Sequence, residues 1–458
     1  MRKIRLQRHQ RVPLLIFIML IAAIGVYILR NFPLQAQEWK EWPAYEASQS
    51  ATAELEPTGR DLRWDPPVLN KDLRLFVSNH PEGIGNIAKD PRTGKDITWP
   101  PKDMEGKLWT EEGTGDDVLG YQVYICHQNW YQEPIYIGLV LENLSPDVSI
   151  TVAGGVKTTL VNSTPGDEQE TWHRLCSIGL NNAYSELLYE NAGFEELAET
   201  VIPCGAGEQK VLAWKLKPGA TLGARVHLKV RSSTWQGKTR FRLSTAWAWQ
   251  QERLTDGLKL IPLNGPHARG SWPFGKVILS NANDVFDLGA DDGGGRLIRC
   301  LRLCQPIYKD GKKVGHEQDV TCTKERSYNP AQCNPNNGMY GVRNELKLHV
   351  KNSSDRPQTV ELYFRYPDGR LEGSYVGAAI TYRYSTEALN WVRDDIRAIK
   401  LGRMTFTEKT GREVREWWFV TKRVAAYEVP PGETKIIPLT VVHDFPAMLP
   451  LGVLLKKG

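Results

Sequence analysis

Two stretches of this chain change polarity at every residue, and that period of two constrains its fold more than any other feature. Leu346, Leu348 and Val350 alternate with Glu345, Lys347, His349 and Lys351. Val360, Leu362 and Phe364 then alternate with Thr359, Glu361, Tyr363 and Arg365. Between them, Asn352-Ser353-Ser354-Asp355-Arg356-Pro357 is turn chemistry. Successive side chains of a strand point to opposite faces, so each run predicts a strand with one buried and one wet face. An earlier stretch repeats the arrangement. Ile135, Ile137, Leu139 and Leu141 precede the turn Asn143-Leu144-Ser145-Pro146-Asp147, and Val148, Ile150 and Val152 follow it.

The two stretches share further detail. The first strand of each ends in an apolar residue, a charged residue and Asn: Leu141-Glu142-Asn143 and Val350-Lys351-Asn352. Downstream, Ile202-Pro203 with Gly207-Glu208 leads into an alternating strand, as does Val429-Pro430-Pro431-Gly432-Glu433. From Asn to Glu the spacing is 65 residues in one copy and 81 in the other. The same features in the same order predict two related units. The expected fold is mainly β, with two Ig-like β-sandwich units in tandem: residues 71–264 and residues 265–448. Apolar positions from Asn182 to Thr200 recur at three- and four-residue spacing, which predicts one helical insertion near 182–200 in the first unit. A Cys-containing insertion near 300–338, irregular and rich in turn residues from about Gln305, is expected in the second.

The N-terminus is of another kind. Arg2, Lys3, Arg5, Arg8 and Arg11 precede an apolar run from Val12 to Leu29, and no acid occurs before Glu38. Residues 1–36 thus read as a basic flank and a transmembrane helix or signal peptide, oriented with the flank in the cytoplasm. The run is long for a signal peptide, and Leu34 is not small at its position before a cut after Ala36. A single-pass anchor in the cell membrane through residues 12–29, with an extracytoplasmic body, is therefore expected. Secretion after cleavage near Ala36 is the alternative. Residues 37–70, with four prolines and no sustained periodicity, read as an extended tether.

Charge follows the same division. Residues 1–30 hold six of the 58 Lys and Arg, leaving 52 against all 53 acids in the rest of the chain. A nearly neutral body gives no electrostatic case for a nucleic-acid partner.

Leu75-Phe76-Val77-Ser78-Asn79-His80-Pro81-Glu82 opens the first unit, and the hairpin around Asn143 follows. His267-Ala268-Arg269-Gly270-Ser271-Trp272 marks the join, and Asn337-Gly338-Met339-Tyr340-Gly341-Val342 leads to the hairpin around Asn352. Together, over most of residues 73–445, these motifs resemble a group of uncharacterised exported, cell-surface proteins of Gram-positive bacteria. Some of that group carry a stalk domain named after the N-terminal domain of copper amine oxidase; no such stalk occurs here. The resemblance implies a cell-surface protein with paired β domains and supplies no catalytic residues.

Chemistry-bearing residues are few. No G-x-S-x-G elbow, H-E-x-x-H, P-loop or dinucleotide fingerprint occurs, so no catalytic residue is assigned. Cys126-His127 suggests a dyad only if the fold brings a further group to it. Cys300, Cys304, Cys322 and Cys333 lie in or beside the long insertion and are disulfide candidates of open pairing, with zinc as the rival. Asp287, Asp291 and Asp292, in a Gly-rich stretch, are the candidate metal ligands, and calcium is the cofactor that such chemistry admits. Among the 15 Trp, Trp247, Trp249 and Trp418 are candidates for stacking on sugar rings, set against ordinary core packing. The expected function is a non-enzymatic cell-surface protein of structural, scaffold or adhesion type, partnered by a surface protein. A carbohydrate- or cell-wall-polymer-binding protein is the alternative, and a metal-dependent extracellular hydrolase a more distant one.

Overall fold

The alternating stretches become strands where expected. Residues 135–143, 150–162, 343–351 and 358–365 are each extended, and from Arg343 to Lys351 buried residues alternate with less buried ones throughout. The computed structural model describes residues 61–89, 96–115, 119–162, eight residues between 175 and 187, and then 194–205, 207–232, 239–262, 268–290 and 295–300. It continues with 304–309, 312–318, 327–328, 332–334, 336, 339–365, 375–384, 396–407, 412–417, 421–447 and 451–458. The expected membrane segment at 12–29 lies outside the described residues. Among the described residues no helix is long and apolar enough to cross a membrane.

The chain is mainly β, in several sheets. The first sheet runs β13 (Arg269–Trp272), β2 (Leu73–Ile84), β6 (Leu119–Asn129), β11 (Ala220–Ser232), β8 (Ile150–Asn162) and β9 (Glu195–Ile202). The second runs β10 (Gln209–Leu216), β7 (Ile135–Asn143), β12 (Thr239–Ala248) and β5 (Gly106–Gly115). The third runs β1 (Val68–Asn70), β14 (Lys276–Ser280), β19 (Arg343–Lys351), β25 (Thr434–Ala447), β21 (Tyr375–Tyr384), β22 (Ile396–Thr407) and β23 (Glu413–Trp417), with β15 (Phe286–Asp287) also on β19. The fourth runs β16 (Arg296–Cys300), β26 (Leu451–Lys457), β20 (Gln358–Arg365) and β24 (Thr421–Val429). Two ribbons complete the set: β3 (Asn86–Lys89) with β4 (Asp96–Trp99), and β17 (Cys304–Lys309) with β18 (Lys312–Gln318).

Three of the buried clusters among the described residues bring these sheets together. Phe76, Tyr121, Val123 and Ile125 of the first sheet meet Ile137, Leu139, Phe241 and Leu243 of the second. Leu346, Leu348 and Leu439 of the third meet Val360, Leu362 and Leu455 of the fourth. Each is the facing-sheet packing of a β-sandwich. The third core lies on the opposite face of the first sheet. There Leu75, Val77, Tyr124 and Cys126 pack with Trp272, Phe274, Val277, Leu279, Met339 and Val342. Gly341 sits in this seam at φ +79°, where a Cβ would meet Leu75 Cδ1 at 2.9 Å. Residues 48–458 accordingly form one unit.

That seam revises several expectations. The chain does not divide cleanly at 264/265: β13, from after that point, pairs with β2 in the first sheet, while β1, from before it, pairs with β14 in the third. The expected tether ends early. Leu62 is buried in the second core, Trp64 packs against the second and third, and Asp65 N–H donates to Ser280 O at 2.6 Å. One Leu and one Trp outweigh the polar composition around them. Residues 195–200, expected in a helix, belong to strand β9, an edge strand paired with β8. Leu175, Cys176, Ile178, Gly179, Asn182, Ala183, Glu186 and Leu187 are helical and buried. They lie over the first sheet: a Cβ on Gly223 would meet Ile178 Cγ2 at 2.0 Å. The 300–338 insertion is not irregular throughout. It contains the β17–β18 ribbon, and its later residues return to the first sandwich.

Asparagines tie the sheets at their corners. Asn143 ends β7, where the chain crosses from the second sheet to the first. Its Nδ2 donates to Val148 O at 2.9 Å, Ile202 O at 3.2 Å and Pro203 O at 2.8 Å, and its Oδ1 accepts from Ser145 N at 2.9 Å. Asn352 ends β19 at the crossing from third sheet to fourth. It donates to Arg356 O and Val429 O at 2.8 and 2.9 Å and accepts from Ser354 N at 3.0 Å. The two spacings noted in the sequence are hydrogen bonds: Asn143 N to Glu208 O and Asn352 N to Glu433 O, both 2.9 Å. A third corner is at Asn129, closing β6 with bonds to Glu133 O and Leu216 O and from Tyr131 N. In every case the amide satisfies carbonyls of the outgoing turn and of the returning strand at once.

Candidate functional site

A buried acid with a raised pKa, Glu111, lies on β5 at the edge of the second sheet. On β5, residues pair with β12 until a bulge between Lys107 and Trp109 leaves Leu108 as the extra residue. The bulge turns both Leu108 and Trp109 inward, and Glu111, two residues on, follows Trp109 into the interior. Around Glu111 stand Arg74 from β2, with Nη1 3.7 Å from Oε1, and Tyr121 from β6, whose hydroxyl donates to Oε1 at 3.4 Å. Arg74 also donates to Tyr121 Oη at 3.2 Å. The Ser271 hydroxyl of β13 accepts from Trp109 Nε1 at 2.9 Å and favours the ionised form of Glu111. Arg74 in turn lies over the ring of Tyr328 at 4.8 Å, and Tyr328 is exposed.

Burial dominates the charge state of Glu111. It pushes the carboxyl up to about 7, against the opposing pull of Ser271, Arg74 and Tyr121. Burial raises the Tyr121 phenol too, and the Glu111 charge adds to that. Oε2 of Glu111 is buried and has no hydrogen-bond partner. Nearby, Arg269 is buried with Nη1 donating to Leu108 O at 2.9 Å, and desolvation alone brings it down to about 10. The group can take up and release a proton near neutrality.

Two other polar clusters are internal. Glu186, on a helical residue, accepts from Gln122 Nε2 and contacts His227 Nε2, each at 2.9 Å, and pairs with Arg225 Nη1 at 3.4 Å. Burial works against its charge, but His227 and Arg225 outweigh it and bring the carboxyl down to about 2. This cluster fastens the helical residues to the first sheet. Elsewhere Ser78 Oγ lies 3.0 Å from His127 Nε2 and accepts from Thr245 Oγ1 at 2.7 Å. A Ser–His contact is the start of a nucleophile–base arrangement. Here all three residues are fully buried between the two sheets, so no substrate reaches them. Cys126 and His127 do not form a dyad: strand alternation puts Cys126 in the third core and His127 against Ser78.

The predicted site residues stand apart from one another. Trp247 is fully buried, so it presents no face to a sugar, which corrects the stacking expectation for it. Trp249 is half-buried, and its ring stands at 79° to that of Trp247 with Tyr131 against both. The pair shares a side of the sheet but closes the end of the first core rather than forming a platform. Trp418 lies outside the described residues. Asp287 Oδ1 accepts from Gly289 N at 2.9 Å and Ser353 N at 3.1 Å, so it caps a turn. Asp291 and Asp292 lie outside the described residues. Among the described residues, no group of three or more His, Cys, Asp or Glu could hold a metal ion. Cys300 ends β16 and Cys304 begins β17. Cys322 lies outside the described residues, and Cys333 is buried in the first core.

Sequence reasoning missed Glu111, Arg74, Tyr121, Ser271 and Tyr328. The one available signal was Glu111 at period two from Trp109 and Gly113. No family model matches this chain, and a search of curated proteins finds no match.

Proposed function

We propose that this chain is a non-enzymatic, exported cell-surface protein of scaffold or adhesion type, with two Ig-like β-sandwich units in tandem behind an N-terminal membrane segment at residues 12–29. The observation that carries this reading is the seam. Trp272, Phe274, Val277 and Leu279 pack against Leu75 and Val77, so the two sandwiches share a core and present one continuous body. The equivalent corners at Asn143 and Asn352 support a common architecture for the units. The basic flank and apolar run support export. The burial of Trp247 weighs against the polymer-binding alternative.

Cys204 supplies the test, because it is an exposed free thiol. A membrane-impermeant maleimide applied to intact cells expressing the full chain should label it, and Cys204→Ser should remove the share of the label that Cys204 carries. Labelling that appears only after permeabilisation would refute the export reading. Selective binding of the purified chain to a cell-wall polymer, lost in Trp249→Ala, would replace the scaffold reading with the alternative.

A further inference from the structure

Arg74 carries the Glu111 cluster out to solvent: its side chain is 20% exposed. Two rings hold it. The guanidinium carbon lies 5.9 Å from the ring centroid of Tyr121 on β6 and 4.8 Å from that of Tyr328, which is itself 45% exposed. Such contacts fix the plane of a guanidinium before any ligand arrives. Its polar contacts run through one nitrogen. Nη1 donates to Tyr121 Oη at 3.2 Å and stands 3.7 Å from Glu111 Oε1. Nε and Nη2 have no protein partner among the described residues. A planar fork with N–H groups to spare, framed by aromatic rings, matches the geometry of an oxyanion.

Whether Arg74 is available to an external anion depends on the charge behind it. Among the described residues Glu111 is the one carboxylate within 4.0 Å of Arg74. The titratable and charged groups that face Glu111 are Arg74 from β2, Tyr121 from β6 and the exposed Tyr328. On β13 the Ser271 hydroxyl favours the ionised carboxyl, and the charged Arg269 is turned to Leu108 O. Glu111 Oε2 is buried without a partner. A neutral Glu111 leaves the guanidinium with no counter-charge, so an anion from solvent supplies one. An ionised Glu111 supplies it from within and repels a second anion across the same guanidinium. Burial places the changeover close to neutral pH.

We propose that Arg74 is an oxyanion-binding residue gated by Glu111: with the carboxyl protonated, the guanidinium takes a carboxylate or a tetrahedral oxyanion beside Tyr328, and with the carboxyl ionised it releases that anion. The proton comes from and returns to solvent. The coupling is reciprocal, so a bound anion holds the proton on Glu111. The site does not depend on export and stands or falls apart from it.

Calorimetric titration of the full chain in detergent with sodium acetate and with sodium sulfate, against chloride at matched ionic strength, tests this. Neither anion changes charge across neutral pH. The wild type should bind one anion per chain on the acidic side of neutrality, with affinity falling by up to about tenfold per pH unit as Glu111 ionises. Glu111→Gln should bind equally on both sides. Arg74→Gln should bind on neither, and Arg74→Lys, which keeps the charge and loses the fork, should bind acetate more weakly than the wild type. Tyr328→Ala, which removes an exposed ring, should also weaken binding. Acetate bound in preference to sulfate identifies a carboxylate as the group, and the reverse a tetrahedral oxyanion. No binding of either anion by the wild type on the acidic side would overturn the proposal. So would binding that is unchanged in both Arg74 variants, or a pH dependence that persists in Glu111→Gln.

Discussion

Two buried glutamates in the same sandwich are shifted in opposite directions, and the difference lies in what faces them. Glu111 has one guanidinium at 3.7 Å and an unpartnered oxygen, so burial wins and the carboxyl rises to about 7. Glu186 has Gln122, Arg225 and His227 within 3.4 Å, so its charge is kept and the carboxyl falls to about 2. The pH dependences are opposite in sign. Glu111 imposes no penalty below its ordinary value of 4.5, and stability is lost as pH rises through about 7. The full difference is about 3 kcal/mol. Urea unfolding at acidic and mildly alkaline pH should therefore show Glu111→Gln more stable than wild type only at the alkaline end. Glu186 contributes stability above 4.5 that is lost as pH falls through about 2. Glu186→Gln removes a buried charge that pairs with Arg225 and His227 and should cost about 3–5 kcal/mol at neutral pH. A neutral result in the same unfolding assay would show that the ion pair does not hold the helical residues down.

At the scale of elements, the corner asparagines explain how strands change sheets without stranding carbonyls. Asn352→Ala should destabilise by about 2 kcal/mol, since two turn carbonyls lose their donor and the amide oxygen's bond to Ser354 N goes too. Asn70→Ala, which removes an exposed bond from Asp72 N, should stay within about 0.5 kcal/mol. Denaturant midpoints of the two variants, measured side by side, check this. Much of this level was legible. Alternation located β7, β8, β19 and β20, and the shared Asn-to-Glu pattern marked real cross-corner bonds. The rest was hidden for identifiable reasons. Strand β9 carries Leu197, Ala198 and Val201 at spacings that a helix also allows, and it is mostly exposed, so no buried face marks a period of two. Glu111 was unreadable because the bulge at Leu108 resets the inward side of β5. The bulge depends on pairing with β12, more than a hundred residues away.

The whole molecule turns on the seam between the sandwiches. Sequence periodicity shows which residues are buried but not against what. Val77 and Val277 look like core positions of separate units, yet both belong to the third core. The pairings of β1 with β14 and β13 with β2 likewise join residues some two hundred positions apart. Neither half should be stable alone, because each keeps one strand of the other. Phe274 is fully buried at the seam, and Phe274→Ala should cost about 3–5 kcal/mol. The most direct test of the shared core is urea unfolding of residues 48–458, followed in parallel by far-UV circular dichroism and tryptophan fluorescence. A continuous body predicts one coincident transition by both probes, which Phe274→Ala moves to lower urea while keeping it single. Two separate transitions in the wild type, unmoved relative to each other by Phe274→Ala, would contradict it.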